Sequence, residues 1–444
     1  MKYSIYILSI IGLIGLSSCA DLDVQPKNAV ELESAISDAT SAEAAVLGVY
    51  SEFQGSDFDG WLSMNQYFSD EAVHTGTFPT RAEFGRLDVF PSNTTMAGQF
   101  TNMYDIINVA NTIEASLPGV SDPSLTDALR NEFIAEAVFL RAYAYWYLVN
   151  NWGDVPLILE PTSPDALGVE LQVPNAPASA TVAQVIQDFQ FAEANLPLTN
   201  GGTRASSMAA KVMLARAYLQ QGDYAQALSK AQEVIDGGLF GLQPSYADIF
   251  DGGSAEQIWY LDFTSEDNND NAFFYFPSAL GGRLSISPSA EMLAAYEPGD
   301  LRFAASIDTA SIAGQPFAIK YSDIVSGTDP IYFIRYAEVL LIASEAAAET
   351  GNFTLASDLV NQVRARAGLA PITLDASNYV DAILQERFVE MAFEGHQRLW
   401  DLRRRGKAVE VLGPLGYDDP KDNVWPFPQR DIDRNPNLQQ NPGY

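Results

Sequence analysis

Two helical hairpins built on one plan constrain the fold of this 444-residue chain more than any other feature. Residues 205–238 and 332–368 each hold two Ala/Leu-rich stretches, broken at Gly222-Asp223 in the first copy and at Gly351-Asn352 in the second. Both copies place a small residue, a glycine, an aromatic residue and an alanine in the same register, which is the tetratricopeptide pattern. Small residues at these positions let antiparallel helices approach closely, so the repeat predicts a helical scaffold.

Weaker periodicity extends this scaffold toward both ends of the chain. Amphipathic helices are predicted at 41–53, 94–117, 125–150 and 181–196, and a further helix at 378–395. The scaffold then covers roughly 41–236 and 332–368, with irregular insertions at 55–93 and 239–330 and a C-terminal region at 369–444. The second insertion carries a strand-like aromatic run, QIWYLDF. We therefore predict a mainly α fold with long loop insertions and a few short strands, and expect function in the loops.

The only cysteine, Cys19, follows a short basic start, an apolar run at 5–16 and two serines. This order is that of a secretory signal, and it resembles a bacterial lipobox, whose cysteine is acylated. The apolar run is too short to span a bilayer permanently. We predict a lipoprotein signal peptide at 1–18 and a single mature domain at 19–444, held at the membrane through Cys19.

The formal net charge of −32 bears on the choice of partner. Such a charge repels phosphate backbones, so nucleic acid is not expected as a partner. It argues more weakly against sulfated or uronate-rich ligands and favours a neutral polysaccharide or oligosaccharide. With 47% hydrophobic residues, the chain is not a disordered acidic tail.

Signatures of catalysis and of metal binding are missing from the sequence. Histidine occurs only at His74 and His396, which excludes a three-histidine zinc site, and there is no G-x-S-x-G elbow. The run DNNDN at 267–271 lacks the glycine and glutamate of an EF-hand. We expect no cofactor, no metal and no catalytic residue. Paired carboxylates of a surface glycosidase stay open, because their separation is spatial.

Aromatic residues are dense in both insertions. The first insertion holds Trp61, Tyr67, Phe68 and Phe78, and the second holds Trp259, Phe273, Phe274, Tyr275 and Phe276. The apolar face of a sugar ring stacks on such side chains, while neighbouring Asn, Asp and Arg hydrogen-bond its hydroxyls. These loops therefore predict a glycan site. For any single ring, packing against the scaffold is the commoner role.

Four segments together resemble the SusD/RagB family of outer-membrane nutrient-binding lipoproteins. They are FLRAYAYWYLVNNWGDVPLI (139–158), YFIRYAEVLLIASEAAAETGN (332–352), ILQERFVEMAFEGHQRLWDLRRRG (383–406) and the terminal WPFPQRDIDRNPNLQQNPGY. The resemblance implies a surface protein that captures glycan and delivers it to a SusC-like TonB-dependent transporter, without covalent chemistry. It implies a lipid anchor in the outer membrane, facing the cell exterior.

Within this reading, loop position and chemistry select the candidate ligand-binding residues. They are Trp61, Tyr67, Asp70, Arg81, Trp259, Asp267, Asn271, Tyr275 and Arg283, of which Trp259 could equally be core. The charged helix residues Glu386, Arg387, Glu390 and Glu394 are instead expected to form structural pairs with bases such as Arg398 and Arg404. Two alternatives stay open: a peptide-capturing uptake protein, and a tetratricopeptide scaffold that binds only proteins.

Overall fold

Helices make up most of the structure, a computed structural model that describes residues 35–55, 58–162, 172–250, 253–395 and 397–444, without the side chains of residues 58–61. Helix accounts for 55% and strand for 6%, which confirms the mainly α fold with a few short strands. The predicted signal peptide, Cys19 and His396 lie outside the described residues. Residues Ile36–Tyr444 pack as one unit.

The helices of the described residues are, in chain order, α1 Ala39–Gln54, α2 Phe58–Tyr67, α3 Pro79–Gly85, α4 Thr94–Ser116, α5 Asp127–Trp152, α6 Ala178–Asn195, α7 Ser207–Gln221, α8 Tyr224–Gly237, α9 Asn271–Tyr275, α10 Ala290–Ala295, α11 Leu301–Ser306, α12 Tyr336–Glu349, α13 Phe353–Arg366, α14 Tyr379–Glu390, α15 Gln397–Arg404, α16 Ala408–Leu412 and α17 Gln429–Arg434. The strands are β1 Ala72–His74, β2 Gln257–Leu261, β3 Ile286–Pro288, β4 Ile307–Asp308, β5 Phe317–Ala318 and β6 Ile331–Arg335.

Both repeated hairpins form where the sequence predicts them, as α7/α8 and α12/α13. Gly222 ends α7 in the left-handed region with φ 73°, and the side chain of Asp223 caps α8 by accepting a backbone N–H of its first turn. Gly351, with φ 82°, and Asn352 do the same between α12 and α13. A left-handed residue at a helix end favours glycine, so these breaks are local in origin. The four predicted amphipathic helices are likewise confirmed as α1, α4, α5 and α6.

The helical layer continues across the second insertion. Each helix from α4 to α8 packs on the next, α8 packs on α12, and α12 packs on α13 and α14. The insertion between α8 and α12 is closed at its base, because β2 pairs antiparallel with β6 in the register Tyr260↔Tyr332 and Leu261↔Ile331. The loops thus leave the scaffold and return to it at neighbouring positions.

The C-terminal segment packs against the end of α5 through aromatic contacts and hydrogen bonds. The Trp152 ring lies 5.2 Å from that of Trp425, which also meets Phe84 edge-on at 5.0 Å. The backbone N–H of Trp425 donates to Asn151 O at 2.7 Å, and Asn441 Nδ2 donates to the carbonyl oxygens of Trp152 and Trp425. The C-terminal motif therefore has a structural role.

A fully buried guanidinium, that of Arg335, ties three segments together. Its Nη1 lies 3.0 Å from Glu390 Oε1, its Nη2 donates to Glu394 Oε1 at 2.9 Å, and it also pairs with Glu256. Arg335 ends β6, Glu256 directly precedes β2, and Glu390 ends α14. A charge removed from water is tolerated only with such partners, so the network fixes geometry more than it adds stability.

The acidic residues of α14 and the turn after it have the structural role that the sequence predicts, but with other partners. Burial alone would raise the pKa of Glu390, yet Arg366, Arg335 and Arg302 hold it at about 2. Of the partners expected, Arg398 pairs instead with Asp70. The other, Arg404, pairs with Glu345 and Asp401. The helical spacing shows that these acids share a face, but not which distant cation the fold brings to it.

Among the described residues, no helix combines the length and the apolar character needed to cross a bilayer.

Replacing Arg335 should test how far the fold depends on this network. Arg335→Gln leaves Glu256, Glu390 and Glu394 without their shared cation, so we expect the free energy of unfolding in urea to fall by about 3–5 kcal/mol. Arg434→Gln, at an exposed position in the last turn of α17, should change it by less than about 0.5 kcal/mol. Equal stability of the two variants would contradict the role assigned to Arg335.

Candidate functional site

The two loop insertions meet along a short antiparallel ladder. β1 of the first insertion pairs with β3 of the second, in the register Ala72↔Pro288, Val73↔Ser287 and His74↔Ile286. Past the strand, the N–H of Thr75 donates to Ser285 O at 3.0 Å. Segments far apart in the sequence therefore form one continuous surface.

Two glycines allow close approaches in these loops. A Cβ on Gly282 would lie 2.2 Å from Phe276 O, and a Cβ on Gly76 would lie 2.7 Å from Ser285 Oγ. Neither position accepts a side chain unless its neighbour moves. The segment containing Gly282 folds back onto α9, where the N–H of Arg283 donates to Phe273 O at 2.7 Å. This return places Arg283 beside the first insertion.

At the junction lies a phenyl ring with arginines around it. The Cζ atoms of Arg283 and Arg81 lie 4.1 Å and 4.6 Å from the ring centroid of Phe78, a cation–π arrangement. Nη2 of Arg283 donates to Thr77 Oγ1 at 3.0 Å. The end of α3 also packs here, since a Cβ on Gly85 would lie 3.3 Å from His74 Cβ. We call this surface the loop patch and define it as His74, Thr77, Phe78, Arg81, Arg86 and Arg283.

The positive charge of the loop patch affects the pKa of His74. Its ring meets that of Tyr67 edge-on at 5.4 Å between centroids and is half-buried. Burial lowers the pKa of His74, and Arg81, Arg86 and Arg283 lower it further, to about 4. The imidazole is therefore neutral at pH 7, while the charge of the loop patch is carried by guanidinium groups.

Two of the predicted stacking rings are buried and do not present a face to solvent. Tyr67 and Tyr275 are each 1% exposed. The hydroxyl of Tyr67 donates to Ser285 O at 2.9 Å, and that of Tyr275 donates to Gln66 Oε1 at 2.6 Å, with its ring stacked on Tyr321. Both rings join the insertions to each other or to α2, so the prediction that they form sugar platforms is corrected here.

Trp259 is likewise core, the alternative that the strand pattern leaves open. It is fully buried on β2, and its ring centroid lies 4.4 Å from that of Phe333 and 5.0 Å from that of Phe139. For Trp61 the structure gives only the backbone, in the first turn of α2; its side chain lies outside the described residues.

The remaining polar candidates divide by exposure. Asp70 is buried and accepts from Arg398 Nε at 2.8 Å, and Asn271 is buried at the start of α9. Both therefore serve packing rather than a ligand. Asp267 is exposed in a turn in which the N–H of Thr264 donates to its carbonyl oxygen. It is not part of the loop patch.

Of the predicted site residues, Arg81 and Arg283 are brought together, and the ring between them was not among the candidates. Phe78 directly precedes Pro79, the first residue of α3, and has the extended backbone that a following proline favours. The following proline keeps the ring at the end of a loop rather than inside a helix. It is the sequence signal from which Phe78 could have been chosen as a candidate. Among the described residues, no group of His, Cys, Asp and Glu could hold a metal ion.

A buried carboxyl group supports the loop junction from beneath. Glu71, just before β1, is 3% exposed, and its Oε1 accepts the N–H of Phe393 at 2.5 Å. Phe393 has φ 64°, a left-handed conformation that this hydrogen bond helps to hold. Burial raises the pKa of Glu71 to about 8, although the Phe393 N–H and Lys320 oppose the shift. The group is thus mostly protonated at pH 7.

Two family models match this chain. One, described as "SusD family", matches residues 319–444, and the other, described as "Starch-binding associating with outer membrane", matches residues 22–219. The chain is also 28% identical to the SusD-like protein P2 of Formosa agariphila, over the whole length of both.

Solved structures agree with this fold. A protein titled "Laminarin binding SusD-like protein" superposes with a TM-score of 0.82 and 26% identity, covering 92% of this chain and 100% of that one. A SusD superfamily protein from Bacteroides vulgatus gives a TM-score of 0.83 at 20% identity, covering 92% and 99% of the two chains, which bears on the fold alone.

The burial of Glu71 predicts a pH dependence of stability. Below about pH 4.5 the carboxyl is protonated in both states; between there and pH 8 only the folded state keeps the proton, so stability falls as pH rises. Glu71→Gln retains an acceptor for Phe393 and cannot ionise. Urea unfolding from pH 5 to pH 8 should show this variant gaining stability relative to the natural chain as pH rises. A constant difference would contradict the assignment.

The placement of the rings predicts which substitutions unfold the protein. Trp259→Ala and Tyr275→Ala should each lower the free energy of unfolding by about 3–5 kcal/mol, because they leave cavities in the core. Phe191→Ala, which removes a 39% exposed ring from α6, should cost far less. Thermal and urea unfolding would measure this, and an unchanged stability of the first two variants would return those rings to the list of ligand platforms.

Proposed function

The chain belongs to the SusD family, and from that premise we propose that it captures glycan at the cell surface and delivers it to a SusC-like TonB-dependent transporter. It would bind and release its ligand without breaking a covalent bond. Its acylated Cys19 would anchor it in the outer membrane, facing the cell exterior. The description of the matching family model as associating with the outer membrane supports this location.

The single observation that carries the ligand class is the construction of the loop patch. At the junction of two insertions the half-buried ring of Phe78 lies beneath the guanidinium groups of Arg283 and Arg81, and the exposed Arg283 and Thr77 offer hydrogen-bonding groups beside it. A sugar needs hydrogen-bonding groups for its hydroxyls, and an apolar ring holds these groups in place. The paired loops hold these groups at fixed spacing, which lowers the entropy lost on binding. The laminarin-binding neighbour supports the same ligand class.

The transporter would be contacted by the helical scaffold rather than by the loops. The layer formed by α4 to α8 and continued by α12 and α13 offers an extended surface on regular elements. The Arg335 network joins this layer to the base of the second insertion, so the layer and the loop patch would move together as a lid. This assignment rests on the family resemblance and leaves the loop patch free for ligand.

Affinity electrophoresis of the chain without residues 1–19 tests the ligand class. The gels would contain laminarin, an α-glucan, a fructan, a mannan and acidic polysaccharides, one to each gel. Phe78→Ala removes the ring that holds the Arg283 guanidinium and should weaken retardation by the retained glycan about tenfold, as expected when a contact of roughly 1–1.5 kcal/mol is lost. Phe191→Ala removes an exposed ring from the scaffold and should leave retardation unchanged.

Three outcomes separate the alternatives. Retardation that depends on Phe78 supports glycan capture at the loop patch. Retardation that survives Phe78→Ala moves the site elsewhere on the protein. Uniform mobility in all gels, with binding to a peptide library instead, would replace glycan by peptide as the captured nutrient.

A further inference from the structure

The connection between α6 and α7 holds the only Asn-Gly dipeptide of the chain, Asn200-Gly201. Glycine has no side chain to shield its own backbone nitrogen, and its backbone adopts conformations that other residues avoid. Its nitrogen is therefore better able than that of other residues to attack the side-chain amide of a preceding asparagine. Whether the reaction occurs in the folded chain depends on how far the surroundings hold these two groups.

The backbone nitrogen of Gly201 is open to solvent. Gly201 is exposed, and a Cβ on it would lie no closer than 4.0 Å to its nearest neighbour, Thr203 Oγ1. Among the described residues, no oxygen accepts the N–H of Gly201. Its φ of 67° places it in the left-handed region, within a turn. Neither packing nor a hydrogen bond therefore protects this nitrogen.

The side chain of Asn200 is held only weakly. Its Nδ2 donates to Ala205 O at 3.3 Å, and its backbone carbonyl accepts the N–H of Arg204 at 3.4 Å. Both distances lie beyond the usual range of N–H···O hydrogen bonds, about 2.7–3.2 Å. The side-chain amide can therefore turn toward Gly201 at little cost.

Asn195, at the end of α6, provides a contrast in the same part of the fold. It is half-buried, as Asn200 is, but its Nδ2 donates to Phe191 O at the shorter distance of 2.8 Å. The residue after it, Leu196, is buried, and its N–H donates to Ala192 O at 3.0 Å. The two groups that must react are thus both engaged at Asn195.

We propose that Asn200 is a site of spontaneous deamidation in the folded protein. The nitrogen of Gly201 bonds to Cγ of Asn200 while the Cγ–Nδ2 bond breaks, and the proton of the Gly201 N–H leaves with Nδ2 as ammonia. Water then opens the resulting succinimide ring. Opening at the bond to Cγ gives aspartate, and opening at the bond to the backbone carbonyl carbon gives isoaspartate. This inference concerns the scaffold and does not depend on the proposed function.

Isoaspartate would disturb a turn that contacts two other elements, because it adds one carbon to the main chain. Gly202 O accepts the N–H of Tyr260, in β2, at 2.9 Å, and a Cβ on Gly202 would lie 2.7 Å from Tyr260 Cε1. Arg204 pairs with Glu136 of α5 at 2.6 Å. A longer main chain at residue 200 would shift these contacts, whereas aspartate would keep the path of the chain and add only a charge.

Peptide mapping of the natural chain measures the reaction directly. The folded protein would be incubated at 37 °C at pH 5 and at pH 8, then digested with trypsin and Glu-C, which release residues 194–204 with both asparagines. We expect aspartate and isoaspartate at position 200 to accumulate about tenfold faster than at position 195, or more, because glycine leaves its nitrogen unshielded. The rate should be higher at pH 8, since the attacking N–H must lose its proton.

A variant separates this chemistry from other effects of incubation. Asn200→Gln can form only a larger and less favoured ring with the next nitrogen, so it should stay unmodified at position 200 over the same period. After incubation at pH 8, the natural chain should unfold at a lower temperature as isoaspartate accumulates, while Asn200→Gln should not change. Freshly prepared Asn200→Asp, which has the charge without the longer main chain, should unfold close to the fresh natural chain.

Two results would overturn the inferred site. One is conversion at position 200 that is no faster than at position 195, and the other is conversion that occurs only in a urea-unfolded sample, because either would show that the fold protects Asn200. Isoaspartate at position 200 without a lower unfolding temperature would overturn its assigned effect on the scaffold. None of these results bears on glycan capture, which the electrophoresis tests separately.

Discussion

The buried pairing of Arg335 with Glu256, Glu390 and Glu394 is the interaction on which the arrangement of the scaffold depends. It stands where the second insertion leaves and rejoins the helical layer and where α14 ends. Apolar contacts between helices tolerate small sliding movements, whereas a buried guanidinium requires each oxygen in place. The network thus gives an alanine-rich helical layer, whose small side chains discriminate poorly between registers, one defined position for its loops.

The same logic is repeated nearer the loop patch on a smaller scale. Asp70 pairs with Arg398 and the neighbouring Glu71 accepts the N–H of Phe393, so the end of the first insertion is tied to the C-terminal region by polar contacts. Above these contacts the two insertions are joined by the β1–β3 ladder and by buried tyrosines. Exposed loop side chains such as Arg283 therefore sit on a supported base, which keeps them spaced for a ligand.

The helices could be predicted because the signals that start and end them are local in the sequence. The site could not be predicted, because whether a side chain is buried depends on residues far away in the chain. Gly222 and Asp223 mark a helix end within a few residues of chain, so the hairpin around them was found from spacing alone. Tyr275 and Phe78 are both aromatic residues in polar loops, and nothing next to them says that one packs on Tyr321 while the other lies at an exposed junction. The partners in the ion pairs could not be predicted for the same reason. The helical spacing identified Glu390 as structural, but its partners Arg302, Arg335 and Arg366 come from elsewhere in the chain.

Net charge describes a binding site only coarsely, because it sums groups that a ligand never meets together. The acidic surface sets the long-range field, which favours solubility and repels polyanions at low salt. Contact, however, is decided within a few ångströms, where the guanidinium groups of Arg81 and Arg283 lie over the ring of Phe78.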